Sequence, residues 1–340
     1  MKVHLTFAVT FLITALAFTV SSCERMLIED GFSEEPIENF DYLWKEVDQH
    51  YAYFELKAVN WDSVYAVYRP QVQPGMNDVE LFNVCANMLN VLEDGHVNLT
   101  SDFNVSRYNF SASTEKNFNF KLLKDNYIGY DFYSTGPLVN AFLASGDVGY
   151  LRYGSFTNNI NQKDLEFVLN RFSNTSGLIL DLRSNSGGNQ RNVEMLTGAF
   201  VVNLKPVLFS AMKTGNATNE FGEPVKIEFN ATVNQPYSRP VILLVNRESY
   251  SATSFFTTLV RQLPQVKVLG DTTGGGMGIP TGGELPNGWN YRFSGSITLD
   301  AERNNFENGV PPDEYVVQDF NAIFEGKDTM LDKALEELGH

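Results

Sequence analysis

Three serines crowd into residues 244–260, Leu-Val-Asn-Arg-Glu-Ser-Tyr-Ser-Ala-Thr-Ser-Phe-Phe-Thr-Thr-Leu-Val, where an apolar run gives way to a helical pattern. A hydroxyl at such a junction has two uses. It can cap the helix by accepting from a first-turn amide, or it can attack a carbonyl if a base takes its proton. First-turn amides point outward unpaired, so a nucleophile there would also have donors beside it for a developing oxyanion. Ser249, Ser251 and Thr253 occupy that window. A second polar junction, Asp181-Leu-Arg-Ser-Asn-Ser-Gly-Gly-Asn, follows another apolar run, and its Gly187 and Gly188 let backbone N–H groups approach a ligand closely. Brought beside the serine junction, it could complete an oxyanion hole.

A serine nucleophile needs a base, and the chain holds four histidines. His4 lies in the leading segment and His340 is the last residue. His50 sits on the edge of an amphipathic pattern, where a packed or half-exposed histidine is the default. His96 follows Glu93-Asp94-Gly95 at the end of another helical pattern, with Gly95 placed as a C-cap and the helix C-terminus favouring imidazolium. By residue type alone His96 is open to a structural or a catalytic reading. The two cysteines, Cys23 and Cys85, cannot build a disulfide framework or a thiolate metal site if Cys23 is acylated, and no HExxH-like spacing occurs, so neither metal nor cofactor is expected. Residues 271–278, DTTGGGMG, lack the Lys-Ser/Thr ending of a phosphate cradle and read as a flexible rim to a groove. Glu93 and Asp94 are adjacent and not opposed, which leaves glycoside hydrolysis without support.

These junctions need elements to hold them. Phe40, Trp44, Val47 and Tyr51, then Trp61, Val64, Val67 and Tyr68, then Leu81, Val84, Met88, Leu89 and Leu92 recur at helical spacing, so the first hundred residues form a small helical unit. From about residue 115 strands and helices alternate. Val148–Tyr153, Leu178–Leu182, Val241–Val245 and Val266–Gly270 read as strands, with helix faces at Leu165, Val168, Leu169 and Phe172, at Val193, Leu196 and Phe200, and at Phe255, Phe256, Leu259, Val260 and Leu263. That alternation implies right-handed crossovers and a largely parallel sheet covered on both faces. Residues 207–233 break the rhythm as a β-hairpin excursion, and Leu331, Ala334, Leu335 and Leu338 close the chain with a helix.

Lys2, an apolar run from Phe7 to Val20 and Ser21-Ser22-Cys23 form a secretory signal, too short to span a bilayer. Val20-Ser21-Ser22-Cys23 resembles the bacterial lipobox, which makes Cys23 the lipidated first residue of the mature protein, and Arg25 resembles sorting signals for the outer membrane. The expected organisation is a signal peptide over 1–22, a tether over 23–36, a helical subdomain over 37–110 and an α/β domain over 111–340. With 25 Lys and Arg against 41 Asp and Glu the net charge is −16. Nucleic-acid binding is disfavoured, and so is attraction to anionic membranes other than through the lipid.

Four segments carry a resemblance. LILDLRSNSGG, LLVNRESYSATSFF, VKVLGDTTGGG and ENGVPPDEYV occur in the order seen in the S41 serine peptidases, the C-terminal processing protease and tricorn-core group. FDYLWKEVDQHYAYFELKAVNWDSVY and LEDGHVNL resemble its tricorn-like lipoprotein branch, and the similarity spans about residues 38 to 320. The resemblance implies an S41-type, ClpP/crotonase-like mixed α/β core without a PDZ domain, acting on peptides or proteins. It places Ser251 at the nucleophile, Ala252 and Gly187 or Gly188 at the oxyanion, Gly275 at the substrate groove and His96 at the general base. No lysine stands where the processing branch carries one, so a Ser-Lys dyad is excluded. Glu307 matches the acidic partner, with Glu302 and Asp313 near enough in sequence to compete. A peptide- or apolar-ligand-binding lipoprotein on the same scaffold is the competing reading.

Overall fold

The computed structural model describes residues 35–108, 117–215 and 220–340. The signal segment, Cys23 and nearly all of the tether lie outside the described residues. Three helices come first, α1 (Pro36–His50), α2 (Trp61–Tyr68) and α3 (Asp78–Asn90), then a short strand, β1 (Asn98–Thr100). A single-turn helix, α4 (Phe120–Leu123), precedes β2 (Tyr133–Thr135), β3 (Leu138–Leu143) and β4 (Val148–Tyr153). Next come α5 (Gln162–Arg171), β5 (Gly177–Asp181), α6 (Gln190–Gly198) and the hairpin β6 (Val207–Met212) and β7 (Val225–Glu228). The α/β rhythm resumes with β8 (Val241–Val245), α7 (Ala252–Val260) and β9 (Val266–Gly270). The chain ends through β10 (Pro280–Glu284), β11 (Asn290–Ser294), β12 (Ser296–Leu299), β13 (Glu314–Tyr315), α8 (Phe320–Phe324) and α9 (Thr329–Glu337).

The central sheet runs β13-β9-β8-β5-β4-β3-β2, parallel from β13 to β4 and antiparallel at β3 and β2. Side chains alternate between its faces. Leu178, Leu180, Leu243 and Val245 join one core with α5, α6 and α7, while Ile179, Ile242 and Leu244 meet Met330, Leu331 and Ala334 of α9 in the other. The mixed α/β architecture thus carries its sheet between two helical layers. The hairpin is the middle and edge of a second sheet, β12-β6-β7.

Sequence also marks the helix starts. Asn77 and Glu80 close a capping box on α3, and Asn161 and Asp164 another on α5, each satisfying orphan amides reciprocally. The end of α3 departs from expectation. It stops at Asn90, and the left-handed residue beyond it is Glu93 (φ 47°), not Gly95. A Cβ on Gly95 would meet the Tyr250 hydroxyl at 2.8 Å, so the glycine serves close approach and caps nothing.

The N-terminal helices do not make a core from the first 110 residues alone. Leu285, Trp289, Tyr291 and Phe293 pack among Phe40, Leu43, Phe82 and Leu89. β1 is hydrogen-bonded into a third sheet, β1-β11-β10, with Asn98 opposite Arg292. That pairing draws residues 94–98 across the molecule toward the β8–α7 junction.

Candidate active site

Ser251 occupies the turn between β8 and α7 at φ 54° and ψ −117°, a strained conformation for a side chain-bearing residue. The turn is held at both ends. The Ser251 amide donates to the Gly275 carbonyl (2.8 Å), and the Ser251 carbonyl accepts from Phe255 N–H (3.0 Å). The side chain makes no capping bond. Its neighbours do the structural work instead. Ser249 Oγ donates to the Leu182 carbonyl (2.8 Å), Thr253 Oγ1 to the Asn185 carbonyl (2.8 Å), and Ser254 Oγ pairs with Thr273 Oγ1 (2.9 Å), all buried. Ser251 Oγ lies 2.9 Å from His96 Nε2.

His96 is 5% exposed and is placed by a short chain of bonds. Its amide donates to Asp94 Oδ1 (2.7 Å), Asp94 Oδ2 accepts from Ser294 Oγ of β11 (2.8 Å), and Arg292 Nε donates to the His96 carbonyl (3.2 Å). The ring packs against Tyr250 at 5.2 Å between centroids. Nδ1 is buried without a direct hydrogen bond, with the backbone of Gly278 beside it. Burial lowers the imidazole's pKa below its ordinary 6.5, the Asp94 charge opposing this and Arg292 adding to it. The expected bias toward imidazolium from a helix end is therefore corrected: α3 ends too early to act, and the environment favours the neutral ring, which is the form that can accept a proton.

Glu307 is 3% exposed, and its carboxylate is bonded to backbone amides and not to His96 or Ser251. Its Oε2 accepts from the amides of Met277 (2.5 Å) and Gly278 (3.0 Å). It thereby fixes the peptide beside His96 Nδ1. Burial first, and the Asp94 charge second, push its pKa up to about 8. The competing carboxylates are elsewhere: Glu302 is exposed, and Asp313 is exposed and faces Arg261 (3.6 Å) and the Val268 amide (2.8 Å).

Gly187 and Gly188 do separate things. The Gly187 amide is committed to Asn185 Oδ1 (3.0 Å), and a Cβ there would come within 2.9 Å of Ser251 Cβ. Its role is close packing behind the serine. Gly188 (φ 144°) leaves no room for a Cβ against Thr157 N at 2.2 Å. No protein acceptor among the described residues takes the Gly188 amide or the Ala252 amide. Gly275 is corrected from a groove residue to a brace: its carbonyl holds Ser251 N–H, and a Cβ would meet the Glu307 carbonyl at 1.8 Å. Nor is residues 271–278 a flexible rim, since Gly274, Gly276, Met277 and Gly278 all donate to Ser249 or Glu307. Only Gly278 of that loop reaches the cleft.

His96, Ser251, Gly188 and Ala252 open together onto a cleft of about 650 Å³ whose lining includes no lysine among the described residues. Asp94, Asn185 and Arg292 support the site and were not singled out from sequence. An aspartate two residues before the histidine was the one readable signal. Among the described residues no group of three or more His, Cys, Asp or Glu is placed to hold a metal, and no helix is long and apolar enough to cross a membrane.

The profile of peptidase family S41 matches residues 147–316, and that of the tricorn protease C1 domain residues 32–90. A candidate peptidase from Parabacteroides merdae ATCC 43184 is 37% identical over 91% of this chain and 98% of its own, with a TM-score of 0.85. The chain belongs to peptidase family S41. Two further solved structures share the S41 fold at low identity. Mature CPAF complexed with lactacystin is 12% identical, covering 89% of this chain and 98% of its own at a TM-score of 0.68. The photosystem II D1 C-terminal processing protease is 15% identical, covering 83% and 93% at 0.52. As a member of family S41 the protein is a serine peptidase, and its substrates are peptides or proteins.

Proposed function

We propose that the protein is a lipid-anchored peptidase that works through an acyl-enzyme on Ser251 with His96 as general base. The observation that carries the reading is the 2.9 Å contact between His96 Nε2 and Ser251 Oγ, made by a serine whose backbone is strained and whose side chain does not cap its helix. His96 Nε2 takes the Oγ proton as Oγ adds to the peptide carbonyl carbon. The carbonyl oxygen becomes an oxyanion between the Gly188 and Ala252 amides. Collapse breaks the C–N bond, and His96 returns the proton to the leaving nitrogen. Water, deprotonated by the same ring, then attacks the ester and regenerates Ser251.

Glu307 is a positioning residue in this scheme. It holds the Met277 and Gly278 amides, and through that peptide the environment of His96 Nδ1. The anchor rests on the Val20-Ser21-Ser22-Cys23 sequence, which directs the protein to the cell envelope, most simply the outer membrane. Labelled palmitate should enter the wild type and not Cys23→Ala; equal incorporation refutes the anchor.

The deciding experiment is mass spectrometry after fluorophosphonate treatment of the wild type, Ser251→Ala and His96→Ala. An adduct on Ser251 that both substitutions remove supports the mechanism. A folded wild type that forms no adduct rejects it in favour of a binding scaffold.

A further inference from the structure

Among the described residues six tyrosines are buried, and four of them bond a protein partner through the hydroxyl: Tyr150 to Asp181, Tyr153 to the Asn158 carbonyl, Tyr237 to Thr175 and Tyr291 to Glu46. The other two, Tyr51 and Tyr53, are 0% and 1% exposed, and no hydrogen bond of ordinary length reaches either oxygen. An idle buried hydroxyl costs free energy that a phenylalanine would not. Their surroundings point to a use. The segment after α1 is pinned to the end of β11, where the Ala52 amide donates to the Ser294 carbonyl (2.9 Å). The Ser294 hydroxyl in turn donates to Asp94, which also accepts from the His96 amide. Tyr51 turns its hydroxyl to Asp94, and Tyr53 turns its own to Glu307. The Tyr53 ring lies against Gly278, where a Cβ would meet its Cε2 at 2.7 Å, and Gly278 is held by Glu307 beside His96 Nδ1. Neither tyrosine lines the cleft. Two phenols, two carboxylates and the back of the imidazole thus share one closed region behind it.

Two carboxylates buried together do not both ionise without help. The cations that act there work from outside. Lys57, which acts on Glu307, donates to the Glu93 carbonyl (3.1 Å), and Arg292, which acts on His96, donates to the His96 carbonyl, so neither bonds a carboxylate of the pair. Tyr250, packed on the imidazole, is the remaining ionisable neighbour. Further donors must be neutral, and a phenol can be buried without adding charge. We propose that Tyr51 and Tyr53 are positioning residues for the reaction: their hydroxyls donate to Asp94 and Glu307 as His96 takes the Ser251 proton, so that negative charge gathers behind the imidazolium. Such bonds are long in the resting enzyme and tighten as charge develops. No proton leaves either phenol. The inference rests on the catalytic reading above for its chemistry.

The test makes Tyr51→Phe, Tyr53→Phe and the double variant in the full chain, with Tyr237→Phe, at a buried hydroxyl bonded to Thr175 in the other core, as the control. The rate of Ser251 modification by a fluorophosphonate is followed against pH, and the ring nitrogens of His96 are titrated by NMR in the Ser251→Ala background. Without phenol donors the carboxylates hold protons more tightly, so less negative charge faces His96 and its pKa falls. The double variant should therefore lose about tenfold in maximal rate, its acid limb should move to lower pH, and the His96 titration should move with it. Tyr237→Phe should change stability alone. A rate and titration that match the wild type overturn the proposal, as does a loss of rate with no change in the titration, the mark of a merely structural role. If the double variant unfolds, either single variant decides by the same readouts. The titration needs no reactive serine, so a wild type that forms no adduct rejects the catalytic reading, while an unmoved titration rejects this one.

Discussion

At the scale of single residues, the site turns on two buried groups whose pKa values move in opposite directions. Burial lowers His96, so its neutral form persists below pH 6.5, and the acid limb of kcat/KM should fall below that value. A limb above it would contradict the desolvated ring. The same shift means the unfolded chain binds a proton that the folded chain resists, so His96 costs stability as pH falls through its ordinary 6.5. Glu307 has the reverse sign. Its pKa is raised from 4.5 to about 8, so the folded state keeps a proton that the unfolded state releases, and stability is lost as pH rises across that window. Glu307→Gln should flatten the thermal-stability profile between those limits, while loosening His96 enough to cut kcat by roughly a hundredfold. An unchanged pH profile in the variant would reject this account. Polar junctions and a scarce histidine made the serine window and His96 visible in one dimension, while the choice of Ser251 and of Glu307 came from the resemblance to family S41. The sequence could not separate Gly187 from Gly188, because only the fold shows that the Asn185 side chain takes one amide and leaves the other.

At the scale of elements, the strands and helices were legible wherever periodicity was strong: β4, β5, β8, β9 and all the long helices lie where their apolar spacing places them. Long-range pairing was not legible. Nothing local announces that β1 joins β11, yet this pairing carries His96 to a serine 155 residues away. The end of α1 depends on a similar distant contact. Lys213, at the end of the β6 strand, donates to the Asp48 and Gln49 carbonyls (2.9 and 3.2 Å) and to Gly215 (3.0 Å), supplying the C-terminal cap that the sequence of α1 lacks. Lys213→Met should lower stability by about 1–3 kcal/mol in denaturant titration, because partly buried carbonyls lose a charged donor. A change within error would show that water replaces it. Gly188→Ala should be harsher, since its Cβ would collide with the Thr157 backbone. Loss of activity with a shifted unfolding midpoint is the expected outcome.

At the scale of the whole molecule, Cys85 reports on integrity. It is fully buried among the N-terminal helices, and burial pushes its thiol up to about 12. Alkylation of Cys85 in the native protein should therefore proceed only as fast as the core opens, and should rise together with the loss of tertiary signal in denaturant. Labelling well before that loss would mean the helical unit opens by itself, contrary to a core it shares with Leu285, Trp289, Tyr291 and Phe293.

The Arg183 cluster carries a last consequence. Arg183 is fully buried next to the oxyanion loop and is neutralised by Asp181 (2.7 Å) and by Asp328 (2.8 Å), the residue that also caps α9 by accepting from Leu331 N–H. A charge so placed is costly to leave without its counter-ions. The loop that carries Gly187 and Gly188 thus leans in part on residue 328 of 340. A chain that stops short of Asp328 would leave Arg183 with Asp181 as its one carboxylate partner among the described residues, and the loop above it less firmly held. The start of the last helix thus bears on a side chain 145 residues earlier in the chain.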